Sequence, residues 1–172
     1  MAETQLITIS DLTSYRKIDP KFNADRFNSF VNSVQRKNLR ELFGDALYYD
    51  FMNDARASGK YKTLLDGENY TYDGKTISYY GLKPLLSFWV LALIVRESDL
   101  YLAQHGAIMF TENPQQPFVT AKQKDRVSAG YMEEATTYEN DLIQYLNEHA
   151  STYTLWDGGI ESDESEMISF RI

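Results

Sequence analysis

The chain has 172 residues, 17 of them basic and 25 acidic, and it carries a net charge of −8 and no cysteine. This length suits one domain that buries about 70% of its unfolded surface, and the lack of cysteine excludes disulfides, thiolate metal sites and thiol catalysis. The acidic balance disfavours tight binding to nucleic-acid phosphates, because Lys and Arg are the side chains that hold them.

The first third of the chain is predicted to be helical. A short extended segment, Leu6 to Ile9, precedes Ser10, which is expected to cap a short helix. Asn23 is expected to cap a longer helix, and Gly44 to end it, because glycine readily adopts the left-handed backbone that terminates helices. The apolar positions of this longer helix recur at helical spacing: Phe27, Phe30, Val31, Val34 and Leu42.

Two helices and a β-hairpin are predicted next. One helix runs from Asp45 to Gly59, and a shorter one covers Tyr61 to Leu65. Asp73-Gly74 lies between two stretches rich in β-forming residues, Tyr70–Tyr72 and Thr76–Tyr79. An Asp-Gly pair in this setting is a strong signal for a hairpin turn.

The most apolar segment, Leu85 to Val95, is predicted to be the central buried helix, because a helix that is apolar on nearly every side has to be surrounded. It is shorter than the about 20 residues that a membrane span needs, so no membrane contact is expected. Met1 to Gln5 lacks a basic segment followed by an apolar run, so no signal peptide is expected. Gly106 is expected to end the helix, and Ala107 to Phe118 to form an apolar loop.

A long helix is predicted from Thr120 to about His149, since Thr120 and Gln123 resemble a capping box. Its apolar stripe follows steps of three and four: Val127, Tyr131, Ala135, Tyr138, Leu142 and Tyr145.

The predicted fold class is mainly α: a helical bundle around the buried apolar helix, with one small β-hairpin and an extended C-terminal tail. Residues 1–159 are predicted to form a single domain, and residues 160–172 an extended arm. In the arm an acidic run precedes Ile168, Phe170 and Ile172, which alternate with Ser169 and Arg171. This alternation predicts a strand with no partner nearby in its own chain.

Motifs for catalysis or metal binding are weak. Asp73-Gly-Lys-Thr76 ends like a phosphate-binding loop, but Asn69 stands where that loop needs its first glycine. His105 and His149 each lack a second histidine or cysteine at ligand spacing. We therefore predict no catalytic, cofactor-binding or metal-binding residue, and we do not expect an enzyme. A carboxylate metal site assembled from distant positions, as in a metal-dependent hydrolase or nuclease, is the alternative of another class.

Three features favour assembly with other chains. The 13 tyrosines suit half-wet contact surfaces, the loop after the central helix is apolar, and the terminal strand can add to a neighbour's sheet edge. The alternatives are that the hairpin and the loop pack on this chain's own core and that the arm is a disordered tail. The predicted interface residues are Tyr70, Tyr72, Tyr79, Ile108, Met109, Phe110, Phe118, Ile168, Phe170 and Ile172.

The order of four landmarks resembles a known family. They are Asn38–Phe51 (NLRELFGDALYYDF), Tyr61–Gly67 (YKTLLDG), Tyr79–Pro84 (YYGLKP) opening the apolar helix, and Tyr153–Trp156 (YTLW). This series resembles the head–tail connector, or neck adaptor, proteins of tailed phages and prophages of Bacteroidetes-type hosts, including ring proteins of crAss-like phages. The likeness covers roughly residues 5 to 157 and rests on the order of the set.

The resemblance implies a structural virion protein at the neck, made in the host cytoplasm and without a cofactor. It implies a homo-oligomeric ring beneath the portal protein, with the portal's symmetry and hence twelve copies, that also contacts other neck and tail proteins. The genome would pass through the channel without sequence-specific binding, and an acidic wall would repel it. Within the same class, the alternatives are a stopper, a tail-completion protein or a second-tier ring. A cellular helical interaction domain is a third class.

Overall fold

The computed structural model describes residues 4–16, 23–54, 59–97, 100–103, 106–109 and 121–158. The elements in chain order are α1 (Ile9–Tyr15), α2 (Ala24–Val34), a π-helical segment (Gln35–Leu39), α3 (Arg40–Asp54), α4 (Lys60–Asp66), β1 (Glu68–Tyr72), β2 (Lys75–Tyr79), α5 (Leu82–Glu97), β3 (Leu100–Ala103), β4 (Gly106–Met109) and α6 (Ala121–Glu148).

The first two helices begin at side-chain caps. Helix α1 is capped by Thr8, whose hydroxyl accepts from the Asp11 amide while the Asp11 carboxylate accepts from the Thr8 amide. The prediction that Ser10 is the cap was wrong, because only Thr8 has a carboxylate three residues later to complete this reciprocal pair. The prediction for α2 is confirmed: Asn23 Oδ1 accepts from the Arg26 amide at 3.0 Å.

A π-helical segment joins α2 to α3 and buries Gln35 completely. The Gln35 Oε1 atom accepts from the Leu6 amide at 2.9 Å, and its Nε2 atom donates to the Thr4 carbonyl at 3.0 Å. This one side chain therefore pairs with the backbone of the N-terminal segment as a neighbouring strand would. Such wide turns are rare, and this one places a buried amide beside the N-terminal backbone.

The break predicted at Gly44 is confirmed, since its backbone is non-helical at φ 69° and ψ 163° inside α3. The described helix then reaches Asp54, and the following residues 55–58 lie outside the described part. Helix α4 confirms the short helix predicted at Tyr61 to Leu65, and Gly59 directly precedes it.

Helix α5 is the core of the bundle, as predicted. Its residues Leu82, Leu85 and Val90 are fully buried, and α1, α2, α4 and α6 all contact it. Burying a large apolar side chain contributes roughly 1.5–3 kcal/mol, so this helix supplies much of the stability that holds the other elements in place.

Helix α6 packs along α5, and only one stripe of it is buried. Ala135, Leu142 and Tyr145 follow the predicted stripe, but Val127 is 46% exposed and Ser128 is buried instead. The Ser128 hydroxyl donates to the Ala92 carbonyl at 3.1 Å, which satisfies a polar group inside the interface. The predicted cap Thr120 lies outside the described residues.

A second hairpin follows α5 and corrects two predictions. Helix α5 ends at Glu97, and Gly106 begins β4 rather than ending the helix. Residues 107–109 of the predicted loop belong to β4, which pairs antiparallel with β3. The mainly α fold class is confirmed, with two hairpins instead of one in the described chain. None of the helices in the described ranges combines the length and apolar composition that a bilayer crossing requires.

A candidate interaction hairpin

The hairpin β1–β2 forms where the sequence predicts it. Its strands pair Tyr70 with Ile77 and Tyr72 with Lys75 around the two-residue turn Asp73-Gly74. Both turn residues have positive φ, 47° and 72°, which is the type I′ geometry that matches the twist of paired strands. The Gly-Lys-Thr sequence after Asp73 is therefore a hairpin turn and the start of β2, and does not lie between a strand and a helix.

The two faces of the hairpin differ in chemistry. The inner face, which lies toward α6, carries the half-buried Tyr70 and Ile77 and the buried Tyr79. The outer face is exposed and carries only uncharged polar side chains: Asn69, Thr71, Thr76 and Ser78. On this face the Ser78 hydroxyl donates to Asn69 Oδ1 at 2.8 Å.

Stacked aromatic rings attach the inner face to the end of α6. Tyr79 and Tyr145 stack with ring centroids 4.1 Å apart, and Tyr145 stacks on His149 at 4.3 Å. Tyr70 meets the edges of both Tyr145 and His149, at 5.4 and 5.3 Å. Aromatic pairs in such geometries contribute about 0.5–1.5 kcal/mol beyond the area they bury.

Hydroxyl groups of the same tyrosines fix the hairpin in one position. The Tyr79 hydroxyl donates to the Leu64 carbonyl at 2.8 Å, and the Tyr145 hydroxyl donates to the Glu68 carboxylate. Burial raises the pKa of Tyr79 well above its ordinary value, and burial and the Glu68 contact raise the pKa of Tyr145. Both phenols therefore stay protonated at neutral pH and keep donating.

The base of the hairpin is closed by two glycines whose backbones meet. Gly67 and Gly81 have φ of 91° and 81°, and a Cβ on Gly81 would lie 2.5 Å from the Leu65 carbonyl oxygen. Only glycine combines positive φ with this close approach at no steric cost. This close approach of the two backbones, the Gly67–Gly81 crossing, holds the ends of α4 and β2 together. It leaves the hairpin little freedom to move relative to the bundle.

A charge cluster lies beside this crossing. The Asp66 carboxylate accepts from Lys62 and Lys83, both at 2.6 Å, and Asp11 is 3.9 Å from the same Lys83 ammonium. The two lysines lower the pKa of Asp66, so the carboxylate stays ionised as it joins α4 to the start of α5. Within the described ranges no group of three or more His, Cys, Asp or Glu side chains could hold a metal ion.

An open groove elsewhere on the molecule carries no comparable arrangement. Its volume is about 770 Å³, and its lining comes from the polar face of α2 and the π-helical segment: Asp25, Asn28, Ser29, Asn32, Ser33, Arg36 and Lys37. These side chains follow one helical face and do not converge on a point.

The predicted interface residues fall in three places. Tyr70 is half-buried, Tyr72 is 42% exposed, and Tyr79 is buried in the chain's own core, so the expectation that Tyr79 offers a contact surface is corrected. Ile108 and Met109 lie in β4, where the structure describes the backbone alone. The remaining predicted residues lie outside the described ranges: Phe110, Phe118, Ile168, Phe170 and Ile172.

Two exposed tyrosines were not among the predicted residues. Tyr80 is 61% exposed and Tyr49 is 53% exposed. Alternation was a usable signal for Tyr80, since the residue after a buried strand position points the other way. Tyr49 follows the buried Tyr48 in α3, and no sequence signal separates the two.

The hairpin, its glycine base and α6 all lie within one stretch of family similarity. No curated protein and no solved structure shows a significant match to the chain. The model of a family of unknown function, DUF6712, matches residues 39–165, which is most of the chain, and the chain therefore belongs to that family.

Proposed function

We propose that this chain is a structural subunit that works by binding copies of itself and neighbouring proteins, as a head–tail connector of a tailed phage. The observation that carries the proposal is the hairpin β1–β2. It is fixed to the bundle at its base and inner face, yet its outer face takes no part in the described core. A stiff, exposed element of this kind suits protein contacts, because little conformational entropy is lost when it binds.

The four landmark stretches behind the resemblance pack into one unit, which supports the proposal. Phe51 from the first stretch lies against Tyr61 from the second at 5.6 Å, and Tyr61 lies 6.2 Å from Tyr153 of the fourth. The Gly67–Gly81 crossing joins the second stretch to the third. The stretches that resemble connector proteins are therefore the ones whose mutual contacts hold the hairpin in position.

In this function the subunit closes into a ring beneath the portal, and twelve copies follow from the resemblance. Contacts between copies are then heterologous, so each subunit offers two different surfaces. The exposed Tyr49, Tyr72 and Tyr80 suit such surfaces, since tyrosine is enriched where proteins meet. The portal and other neck and tail proteins are the remaining partners, and the virion neck is the location.

Helix α6 is the surface we assign to the channel. After Arg126 its exposed positions carry three acidic residues and no basic one: Glu133, Glu134 and Glu148. A wall with this charge repels DNA and lets the genome slide. Glu133→Gln with Glu148→Gln should increase DNA retention in assembled rings, and unchanged retention would count against this assignment.

The function is tested by native mass spectrometry and particle imaging of the purified protein, alone and with its portal. Closed rings that dock on the portal are expected, and the tier that they occupy separates an adaptor from a stopper or a second-tier ring. A monomer that neither closes into rings nor binds the portal would refute the proposal.

A matched pair of variants links that assay to the hairpin. Tyr72→Ser removes an exposed ring at the turn end of the hairpin and should reduce ring formation. Val127→Ser changes an equally exposed apolar residue on α6 and should have a smaller effect. Equal loss in both variants would argue against a specific role for the hairpin.

A further inference from the structure

The outer edge of β1 is the edge that does not pair with β2, and no described strand lies beside it. In a hairpin with a two-residue turn, the pair that flanks the turn exchanges hydrogen bonds, and hydrogen-bonded pairs then alternate with pairs that do not. The register makes Thr71–Thr76 and Asn69–Ser78 the pairs without mutual bonds. The N–H and C=O groups of Asn69 and Thr71 therefore point away from β2. In the described chain this sheet has two strands, so no third strand lies beside β1.

This edge lacks the devices that usually protect an edge strand. Such strands carry lysines, prolines or bulges that prevent another chain from pairing with them. Strand β1 reads Glu-Asn-Tyr-Thr-Tyr, with no lysine or proline, and its register with β2 is continuous. Its one charged residue, Glu68, accepts a hydrogen bond from the Tyr145 hydroxyl. An unprotected edge beside an exposed Thr and Asn face is what a strand-accepting surface requires.

The C-terminal arm has the pattern that this edge would accept. In the hairpin, Tyr70 and Tyr72 alternate with Asn69 and Thr71 across the two faces. In the arm, Ile168, Phe170 and Ile172 alternate with Ser169 and Arg171. An added strand would place its apolar side chains beside the two tyrosines and its polar ones beside Asn69 and Thr71, which continues both faces of the sheet.

The described chain ends beside α3. Tyr145 faces its own hairpin, and Asn147, two residues later, lies about 200° further round α6. Trp156 bonds to this Asn147 through its Nε1 atom at 2.8 Å, and Asp157 lies near Gly44 of α3. Tyr153 still lies 6.0 Å from Tyr145, and by residue 157 the chain has reached Gly44 of α3.

We propose that residues 168–172 of one copy add as a third strand to the outer edge of β1 in the next copy. This inference rests on the proposed homo-oligomeric function and names the contact that links the subunits. Residues 159–167 can span about 30 Å at 3.3 Å per residue, which is long enough to cross a subunit boundary. The arrangement is head-to-tail, so it can repeat around a ring.

Cysteine cross-linking tests the contact, since the natural chain has no cysteine to interfere. Protein carrying Asn69→Cys or Thr71→Cys is mixed with protein carrying Ser169→Cys or Arg171→Cys and then oxidised. Disulfides need Cβ atoms about 3.5–4.5 Å apart, so only adjacent strands react well. Covalent dimers of the two variants are expected. Thr76→Cys, on the opposite edge, is the matched control and should react much less.

Each outcome of the cross-linking experiment tests a different part of the proposal. Double variants that give only cross-linked monomers would place the arm on its own hairpin and overturn the contact between copies. Rings that form without the cross-link would overturn the β1 docking and leave the proposed function standing. Failure of the unaltered protein to assemble at all would refute the proposed function itself.

A proline pair provides a second test without cysteines. Thr71→Pro removes an outward N–H from β1 and leaves the pairing with β2 intact, because that N–H takes no part in it. Thr76→Pro removes the equivalent outward group of β2. Ring assembly should fall at least tenfold with the first and much less with the second, while both monomers keep their melting temperature. Deleting residues 165–172 should match the Thr71→Pro effect, and equal behaviour of the two proline variants would overturn the proposal.

Discussion

Tyr79 and Tyr145 stack with their ring centroids 4.1 Å apart and their planes only 9° from parallel, one ring from the hairpin and one from the long helix. Their hydroxyls leave this stack in different directions. Tyr79 donates to the Leu64 carbonyl, and Tyr145 donates to the Glu68 side chain. The pair therefore ties α4, β1, β2 and α6 together at one point, and the position of the hairpin depends on it.

Removing the Tyr79 hydroxyl should lower the free energy of unfolding more than removing the Tyr145 hydroxyl. Tyr79→Phe leaves a buried carbonyl without its donor and should lower the free energy of unfolding by about 1–3 kcal/mol. Tyr145→Phe frees an exposed carboxylate that water can solvate, so its cost should be about 0.5–1.5 kcal/mol. Urea unfolding measures both. The exposed Tyr72 is the control, and Tyr72→Phe should change stability by less than about 0.5 kcal/mol.

Gly81 should tolerate no larger residue. Gly81→Ala forces a Cβ against the Leu65 carbonyl oxygen and a side chain into positive φ, so a loss of more than about 2 kcal/mol is expected. Gly130 provides the contrast, because it is helical and has open space around its Cα. Gly130→Ala should raise stability by about 0.5–1 kcal/mol. Thermal and urea unfolding report both signs, and a neutral Gly81→Ala would disprove the close crossing.

Local chemistry made parts of the fold predictable. The Asp73-Gly74 pair predicts its turn because both positions need positive φ, and the apolar run around Leu85 predicts the core because it has no polar face. Gly44 was recognised for the same backbone reason. These signals act within a few residues, so they do not depend on how the chain folds elsewhere.

Features that depend on distant partners could not be predicted. The π-helical segment begins at Gln35, whose side chain bonds to the backbone of Thr4 and Leu6. No residue near Gln35 in the sequence indicates that contact. Gly67 and Gly81 are ordinary turn glycines until α4 and β2 bring their backbones together. The burial of Tyr79 depends on which hairpin face meets α6, and alternation alone does not choose between the two.

Asp66 should contribute stability that depends on pH. Hydrogen bonds from Lys62 and Lys83 lower the pKa of Asp66 in the folded chain. A lowered folded pKa stabilises the protein above the unfolded pKa of about 4, and this contribution is lost as pH falls through the folded value. Asp66→Asn should therefore cost about 0.5–1 kcal/mol at pH 7, a modest value because the site is partly exposed. The difference from the unaltered protein should shrink toward pH 3, and a constant difference would contradict this origin.

The contribution of Glu139 to stability should depend on pH in the opposite direction. Burial, together with the nearby charge of Glu41, raises the pKa of Glu139 in the folded chain. A raised carboxyl pKa means that ionisation opposes folding, so the penalty is absent below the unfolded pKa, grows as pH rises and is complete above the folded pKa. Glu139→Gln removes the charge and keeps the shape, and it should raise the melting temperature at pH 7 but not at pH 3. Glu133→Gln changes an exposed position of the same helix and should be nearly neutral.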